Sequence, residues 1–550
     1  MSSASDLLRR HFGHAAFRPG QEEVIASLLA GRPALAVFPT GGGKSLCYQL
    51  PALALDGLTL VISPLIALMR DQVEALRAKK IPAARLDSTL DPAESQEIMA
   101  QLSSGQLKLL YIAPERLANE SFRRRLARTR LSLLAIDEAH CISEWGHNFR
   151  PDYLKLARFA EEQGITRVLA LTATATPEVA ADIRRHFHIA SADHHQLSFH
   201  RANLDLRVTP ACDPERRALL LDRLRAAPAG DSAIIYLTLQ HQTESLAAFL
   251  QQNGLPARPY HAGLRPETRA EIQNEFMSGK TPLICATIAF GMGIDKADIR
   301  AVYHFHLPKS LENYSQEIGR AGRDGQPSRC ELFACAADLR TLENFIHGDN
   351  PGEHALRSLL RRLFDQPARF DLSLYELSTS HDIRPHVLET VLTYLELAGY
   401  LRPLGKFRTR FQLRLLRPLH RILAGHPAET RHLLSELLAL GEEKRSFLHL
   451  DLPAAAQELQ RPRSELLDLL NELESHGDAS VKGSHVHQEF DLLKRPEDLR
   501  ALIDELVARF ARREESEFAR LRKVRAFAES ADCRNTLLLA HFGEPSAPCG

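Results

Sequence analysis

Residues 133 to 140, which read Leu-Leu-Ala-Ile-Asp-Glu-Ala-His, decide the fold of this chain. The apolar run from Leu133 to Ile136 has the length and character of a buried parallel strand. Asp137 and Glu138 then fall at its carboxyl end, where open α/β sheets keep their ligand sites. Such a pair suits nucleotide hydrolysis, because one carboxylate can hold Mg²⁺ while its neighbour orients the attacking water. By spacing alone, two adjacent acids after an apolar run are more often a helix start or a solvated turn.

The next eleven residues, 141 to 151, read Cys-Ile-Ser-Glu-Trp-Gly-His-Asn-Phe-Arg-Pro and include the only tryptophan of the chain. Trp145, Phe149 and Arg150 thus place two aromatic rings and a guanidinium just past the acids. This combination is suited to stacking on unpaired bases. The alternative is an aromatic cluster that packs a domain surface.

An Asp-Glu-Ala-His sequence joined directly to this aromatic loop resembles the Walker B motif and aromatic-rich loop of the RecQ family of superfamily 2 DNA helicases. The resemblance implies an α/β fold with two tandem RecA-like lobes. It also implies that Trp145, Phe149 and Arg150 relay DNA binding to an ATPase site.

A phosphate-binding loop is predicted upstream, between a strand at 34–38 and a helix. Backbone amides at a Gly-rich helix start bind phosphate oxygens, Lys44 reaches the β and γ phosphates, and the Ser45 hydroxyl joins Asp137 around Mg²⁺. Phe38 stands where the strict pattern has its first glycine, but the superfamily 2 variant keeps only the later ones. A Gly-rich turn at a sheet edge is the alternative. The loop residues are Pro39, Thr40, Gly41, Gly42, Gly43, Lys44 and Ser45.

Residues 17 to 23 resemble the family's motif 0, which implies that Gln21 reads the adenine edge with Arg18 nearby. His14 occupies the position where the family commonly has an aromatic ring stacked on adenine. Without the resemblance, a Gln after Pro-Gly is simply a turn residue.

Three further stretches resemble motifs of the first lobe: 60–72 as motif Ia, 111–116 as motif Ib and 169–176 as motif III. Motifs Ia and Ib would present backbone amides and hydroxyls to DNA phosphates, with Ser63 and Pro64 at the contact.

A second α/β pattern begins at residue 233 and carries no phosphate loop. Residues 283–296 resemble motif V, which implies that Thr287 faces DNA and Asp295 faces the nucleotide. Residues 314–325 resemble motif VI. We assign an arginine finger to Arg323, a γ-phosphate contact to Arg320 and a place near the attacking water to Gln316. Paired arginines alone would indicate a surface salt-bridge patch, and their spacing predicts one helical face.

Two later segments, 372–416 and 450–493, each read as helix, turn, helix and strands, which predicts two winged-helix units. The family uses such a unit to grip duplex DNA, although a purely structural role or protein contacts fit the pattern equally. The expected domains are a first lobe at 1–200, a second lobe at 201–345, a winged-helix-like unit at 346–420, a helical segment with a second such unit at 421–515, and an incomplete zinc-binding subdomain at 516–550.

Six of the eight cysteines lie in or beside apolar segments and are expected to be reduced, buried thiols. They are Cys47, Cys141, Cys212, Cys285, Cys330 and Cys335. Cys533 and Cys549 instead resemble the opening of the family's zinc-binding subdomain. A structural Zn²⁺ needs four ligands, so we expect zinc only if the chain continues beyond residue 550.

The composition is that of an ordinary globular protein, with 44% hydrophobic and 25% charged residues among 550. Lys+Arg and Asp+Glu both number 69, so any nucleic-acid contact must come from local patches. A polar amino terminus and the lack of long apolar runs favour an intracellular protein without membrane association. We expect the bacterial cytoplasm, beside the nucleoid.

Together the resemblances imply an ATP-dependent DNA helicase with 3′ to 5′ polarity. It would use ATP and Mg²⁺ to unwind duplex or forked DNA in recombination and repair, with DNA-stimulated hydrolysis. Expected partners are single-stranded and forked DNA, with single-strand-binding or repair proteins. The alternatives are a DNA translocase or branch remodeller that unwinds weakly, and a recruitment module with a vestigial ATPase.

Overall fold

The computed structural model describes residues 3 to 549 except 88, 145, 147, 148, 292, 293, 295, 445 and 446. These residues form two compact units, one made of 1–350 together with 508–550 and the other of 351–507.

The first unit begins with a seven-stranded parallel sheet whose strand order is β3-β4-β2-β5-β6-β1-β7. Its central strands are short apolar runs that helices bury on both faces. The strands are β1 Ala34–Val37, β2 Leu58–Ile62, β3 Ala83–Leu86, β4 Leu109–Ile112, β5 Leu131–Ile136, β6 Val168–Thr172 and β7 His194–Gln196. The helices are α1 Ala4–Leu7, α2 Gln21–Leu29, α3 Leu46–Ala54, α4 Ile66–Ala78, α5 Pro92–Ser103, α6 Glu120–Leu126, α7 Pro151–Glu162 and α8 Pro177–His186. This is the first predicted lobe.

A second parallel sheet of six strands follows in the same unit, with the order β10-β11-β9-β12-β13-β8. The strands are β8 Leu204–Pro210, β9 Ser232–Tyr236, β10 Ala257–Tyr260, β11 Leu283–Ala286, β12 Ile299–His304 and β13 Ser328–Ala334. The helices are α9 Glu215–Ala226, α10 Gln240–Gln252, α11 Pro266–Met277, α12 Leu311–Ile318 and α13 Ala337–Gly348. The prediction of two tandem α/β lobes is confirmed.

The second unit is built on a five-stranded antiparallel sheet with the order β14-β18-β15-β17-β16. The strands are β14 Arg369–Ser373, β15 Leu401–Leu415, β16 Glu442–Lys444, β17 Phe447–Asp451 and β18 Ala479–Leu492. The helices are α14 Glu353–Phe364, α15 Leu374–Ser380, α16 Pro385–Leu397, α17 Leu419–Ala424, α18 Ala428–Ala439, α19 Leu452–Glu458 and α20 Arg463–Ser475. Two helix pairs each lead into a long strand, as the winged-helix pattern predicts.

The strands of the two predicted winged-helix units are not separate from each other. β15 runs unbroken from Leu401 to Leu415 and pairs with β18 from Leu492 to Ala479. The pairing shifts register once, between Pro403 and Gly405, and then continues to Leu415. The two predicted wings are therefore neighbours in one shared ribbon.

The last helices are α21 Leu499–Glu529, whose residues from 508 onward belong to the first unit, and α22 Arg534–His541. The end of α22 packs against both lobes. The Phe542 ring stacks on Phe199 with centroids 4.2 Å apart, and His541 Nε2 lies 3.0 Å from Glu312 Oε1 at the start of α12. This segment therefore contributes to the core of the first unit.

The expectation that Cys212 and Cys335 are reduced is wrong, and so is the expectation that Cys212 is buried, whereas Cys335 is buried as predicted. The two sulfurs form a disulfide, with Cα atoms 5.2 Å apart, and Cys212 is exposed. β8 and β13 pair in parallel with Pro210 opposite Ala334, so the residues just beyond the two strand ends come together. The other four cysteines of that group are free and buried, as predicted.

Among the residues that the structure describes, no helix is both long and apolar enough to cross a membrane.

We expect Phe542→Ala to destabilise the first unit by about 3 kcal/mol or more, because the ring is 1% exposed and stacks on Phe199. Chemical denaturation of the full chain measures the loss. Met277→Ala, at a side chain 40% exposed, is the control and should change stability by less than about 0.5 kcal/mol. Equal effects of the two changes would contradict this role for the carboxyl-terminal segment.

Candidate functional site

A cleft of about 870 Å³ lies between the two lobes of the first unit. It lies beyond the carboxyl ends of β1 and β5, where open α/β sheets bind ligands. Predicted residues from both lobes line it: Arg18, Thr40, Gly41, Gly42, Gly43, Lys44, Ser45, Asp137, Glu138, Gln316, Arg320 and Arg323. Motifs far apart in the sequence therefore meet in one cavity.

The predicted phosphate loop connects β1 to α3. Gly41 and Gly43 have φ angles of 85° and 77°, which side chains rarely adopt. A Cβ at Gly43 would also lie 2.5 Å from Gln21 Nε2. Glycine is thus required at both positions, and the loop leads its backbone amides into the start of α3.

Motif 0 braces this loop. Gln21 Nε2 donates to the Gly43 carbonyl at 2.9 Å, and Arg18 Nη1 donates to the Gly41 carbonyl at 2.8 Å. Gln21 is 2% exposed and His14 is exposed, and neither of them is among the residues that line the cleft.

Lys44 Nζ lies inside the loop and donates to the Phe38 carbonyl at 3.1 Å. Burial lowers the pKa of Lys44, and the negative charges of Glu138 and Asp137 partly restore it. These carboxylates therefore lie close enough for their charges to act on the lysine. Ser45 lines the same cleft.

Asp137 and Glu138 follow β5 directly. Asp137 is held by its backbone amide, which donates to Ile62, and by Ser63 Oγ, 3.5 Å from its Oδ2. Burial raises the pKa of both carboxyls, and the mutual repulsion adds to this for Asp137. Glu138 adopts φ 50°, in the left-handed region, a strain that is common at functional sites.

His140 connects this acid pair to motif III. Its Nδ1 lies 3.0 Å from Thr172 Oγ1 and 3.4 Å from Glu138 Oε2. Burial lowers the pKa of His140 to about 3, so the ring is neutral at physiological pH. The ring therefore lies between Thr172 of motif III and the Glu138 carboxylate.

The motif VI residues come from α12 and the turns after it. Gln316 and Arg320 are 8% and 4% exposed. Arg320 donates to the Gly291 carbonyl, and Arg323 Nη1 donates to the Ile294 carbonyl at 2.8 Å. α12 ends at Ile318, so the prediction that the two arginines share a helical face is wrong: turn backbone, held by these bonds, orients them.

A second cavity of about 220 Å³ lies beside Glu138. Phe149, Arg150 and Pro64, three residues predicted to face DNA, line it together with Ile288. Glu138, Gln316 and Arg320 line this cavity and the larger cleft. The same three side chains therefore connect the two cavities.

The other residues predicted to face DNA are less accessible or lie outside the described residues. Ser63 is 2% exposed, with its hydroxyl near Asp137, and Thr287 is 9% exposed at the end of β11. Trp145 and Asp295 lie outside the described residues, so their predicted roles stay predictions.

Helix α21 contacts the aromatic loop. The Arg513 guanidinium lies 4.8 Å from the centroid of the Phe149 ring, within cation–π range, and Arg509 Nε contacts both carboxylate oxygens of Glu144 at 2.9 and 3.2 Å. Sequence reasoning missed both arginines, because more than 350 residues separate them from the loop and neither belongs to a local motif.

Arg201 and Asn203 were also missed, although both line the larger cleft. Arg201 Nη2 donates to the Ala321 and Gly322 carbonyls at 3.1 and 2.8 Å, and Asn203 Nδ2 donates to Gly322 at 2.8 Å. They hold the turn that carries the motif VI arginines. The only feature of the sequence that could have indicated them is their position just before β8.

Cys533 and Cys549 have sulfur atoms 3.6 Å apart. Two ligands on one tetrahedral zinc with Zn–S bonds near 2.3 Å would be about 3.8 Å apart. Hydrogen bonds from the Cys549 and Thr536 backbone lower the pKa of Cys533 to about 6, which favours the thiolate. The pair fits half of a structural zinc site.

The chain matches the DEAD/DEAH box helicase family at residues 18–183, the helicase conserved C-terminal domain at 216–325 and the RecQ zinc-binding family at 497–550. A solved structure of the DUF1998 helicase MrfA bound to DNA and AMPPNP has a TM-score of 0.52 and 18% identity, covering 74% of this chain and 61% of that one. At this identity the likeness concerns the fold alone.

Curated relatives are closer in sequence. The ATP-dependent DNA helicase RecQ of Haemophilus influenzae is 44% identical over 344 residues, 62% of this chain and 55% of that protein. The probable ATP-dependent DNA helicase RecS of Bacillus subtilis is 41% identical over 369 residues, 66% of this chain and 73% of that protein. The chain spans about half the length of several curated relatives that it matches. On the identity and coverage with RecS, and with all three family matches in order, the chain belongs to the RecQ family of superfamily 2 helicases.

Proposed function

We propose that this protein is an ATP-dependent DNA helicase that moves 3′ to 5′ and unwinds duplex or forked DNA in recombination and repair. The observation that carries the proposal is that Glu138, Gln316 and Arg320 border both cavities. A group that senses a strand in the smaller cavity can thereby shift the side chains that act on nucleotide in the larger one. The helicase names of the relatives support the same activity.

ATP would bind with its phosphates on the loop from Thr40 to Ser45. Lys44 would neutralise the β and γ phosphates, and the loop amides would donate to their oxygens. Arg18 and Gln21 would face the base, as expected from motif 0, with His14 and Asp295 as further predicted contacts. Burial of Lys44 strengthens its interaction with the phosphates, because the effective dielectric is low there.

Ser45 and Asp137 would hold Mg²⁺, which neutralises phosphate charge when bound. Two adjacent carboxylates whose pKa values are raised by desolvation fit a cation-binding site, since a cation would favour their ionised forms. We assign to Glu138 the orientation of the attacking water, with Gln316 beside it. Arg320 and Arg323 would stabilise the charge that develops on the γ phosphate.

Single-stranded DNA would lie against the smaller cavity. Phe149 offers a ring for stacking and Arg150 an exposed guanidinium. We also propose Trp145, Ser63, Pro64 and Thr287 as DNA contacts. Ser63 and Thr287 are buried, so at these two positions neighbouring backbone groups would make the contact. Arg513 now covers one face of Phe149, so a base and Arg513 would compete for the same ring.

Duplex DNA would contact the ribbon of β15 and β18 in the second unit. Lys406, Arg408 and Arg410 alternate along β15 and are exposed, and Lys482 pairs with Gln412, the next position on that face. This places four cations on one face. Lys406 and Arg410 lie 3.4 and 3.7 Å from Glu389 and Asp451, so phosphates would have to displace these surface pairs, which are individually weak.

We propose that Cys533 and Cys549 supply two of the ligands of a structural zinc ion, whose binding would fix the segment after α21. We also propose single-strand-binding or repair proteins as partners and the bacterial cytoplasm, beside the nucleoid, as the location. These proposals rest on the family relationship and on the cysteine geometry.

A duplex with a single-stranded 3′ tail should be opened in ATP and Mg²⁺, and one with a 5′ tail should not. Strand displacement of labelled duplexes measures this. Glu138→Gln is the control, and we expect it to lower both unwinding and hydrolysis by about 100-fold or more, because the water loses its orienting carboxylate.

Preferential opening of the 5′-tailed duplex would contradict the proposed direction. If neither duplex opens while DNA still accelerates ATP hydrolysis, the translocase alternative holds. Full unwinding by Glu138→Gln would contradict the assignment of the site.

Arg323→Ala should lower kcat for ATP hydrolysis by about 10³-fold with little change in KM, because an arginine finger acts on the transition state. Steady-state hydrolysis with saturating single-stranded DNA measures both constants. Arg225→Ala, at an exposed arginine of α9 in the same lobe, is the matched control and should leave them unchanged. A rise in KM alone would assign Arg323 to nucleotide binding.

A further inference from the structure

The second unit contains a cluster of metal-binding side chains, formed by His426, His476 and Asp478, that no motif predicted. Each offers one donor atom, and the three donors lie within 4.8 Å of one another. His426 lies between α17 and α18, and the other two lie in the turn between α20 and β18. The cluster thus joins segments about 50 residues apart in the chain.

Two of the three side chains in the cluster are buried and one is exposed to solvent. His426 and Asp478 are 5% and 6% exposed, whereas His476 is exposed. The two imidazole rings have centroids 5.9 Å apart. Two donors are therefore held by packing, and the third lies at the surface, where an ion can enter and the ring can turn to meet it.

Charged side chains of both signs contact the residues of the cluster. Glu472 Oε1 lies 3.5 Å from His426 Nδ1, which adds a second carboxylate beside the cluster. Arg417 Nη1 donates to Asp478 Oδ1 at 3.1 Å, and a carboxylate has a second oxygen for another partner. Arg431 Nη2 also donates to the His426 carbonyl at 3.1 Å, so the charges of two carboxylates and two guanidinium groups balance around the cluster.

The local backbone brings two of the donors together. Gly477 separates His476 from Asp478 and has φ 68°, in the left-handed region. The Asp478 amide donates to the Leu473 carbonyl at 2.9 Å and its carbonyl accepts from the Leu416 amide at 2.8 Å. The position of the aspartate is thereby fixed at the point where β18 begins.

We propose that His426, His476 and Asp478 form a binding site for a divalent transition-metal ion of the zinc class, with water completing the coordination. Two imidazoles and a carboxylate suit Zn²⁺ better than Mg²⁺ or Ca²⁺, which prefer oxygen ligands alone. Bonds near 2.1 Å require donors roughly 3.4 Å apart, so metal binding would draw the three donors together from their present separations of up to 4.8 Å.

The bound ion would tie the start of α18 to the base of β18. Because β18 is the strand that pairs with basic β15, the ion would stabilise the ribbon proposed to contact duplex DNA. The inference itself does not depend on that function, since it concerns only the stability of the second unit. It is also separate from Cys533 and Cys549, which belong to the first unit.

The test uses the full chain, stripped with a chelator, and measures the melting temperature with and without added Zn²⁺. A ligand at about 100 times its Kd should raise the transition of the second unit by roughly 5 °C. His476→Ala should abolish this rise. Because His476 is exposed, the change should leave the melting temperature of the metal-free protein nearly unaltered.

His432→Ala is the matched control, since His432 is an exposed histidine on α18 with its side chain 78% accessible. This variant should keep the full rise. An equal Zn²⁺ effect in wild type and His476→Ala, or no effect in wild type, would overturn the proposal.

Cobalt absorption separates this site from the cysteine pair. Co²⁺ bound by histidines and a carboxylate gives visible ligand-field bands without thiolate-to-metal charge transfer. We expect these bands to disappear in His476→Ala and in Asp478→Asn and to persist in Cys533→Ser/Cys549→Ser. Loss of all cobalt bands in the cysteine variant would assign the metal to the cysteines and contradict the proposal.

Discussion

The largely desolvated carboxylate pair at the end of β5 is the constraint on which the rest of the first unit depends. Asp137 and Glu138 are adjacent and largely shielded from solvent, with the Glu138 side chain 12% exposed, and shielding unpaired carboxylates from water costs several kcal/mol each. The charges of Lys44, Arg150 and Arg320 oppose the burial-driven rise in the pKa of Glu138. These cations come from the phosphate loop, the end of the aromatic loop and the second lobe. A displacement of any of these three cations would therefore change the electrostatic environment of Glu138.

The carboxyl-terminal residues of the first unit belong to this arrangement. His541 pairs with Glu312 at the start of α12, the helix that also carries Gln316. Arg513 covers the Phe149 ring beside the smaller cavity. Segments that follow the second unit in the sequence therefore help to position both the motif VI helix and the aromatic loop.

The sequence predicts the lobes and most of the cleft because these depend on local patterns. A strand, a Gly-rich loop and a helix start place Lys44 without any knowledge of the tertiary structure, and an apolar run does the same for Asp137. Prediction from local sequence patterns fails where the contacting residues are distant in the sequence. The roles of Arg201 and Asn203, the Cys212–Cys335 disulfide and the β15–β18 ribbon all follow from pairing between remote segments. The cluster of His426, His476 and Asp478 also arises from contacts between remote segments, and the spacing of its residues in the sequence matches no known motif.

The most direct measurement is the ratio of ATP hydrolysis rates with and without single-stranded DNA in Phe149→Ala. If the three shared side chains couple the two cavities, the variant should keep the basal rate and lose most of the stimulation. Phe447→Ala, at a half-exposed ring in the second unit, should keep both. The account would be contradicted if Phe149→Ala kept the full stimulation by DNA, or if its basal rate fell by the same factor as its stimulated rate.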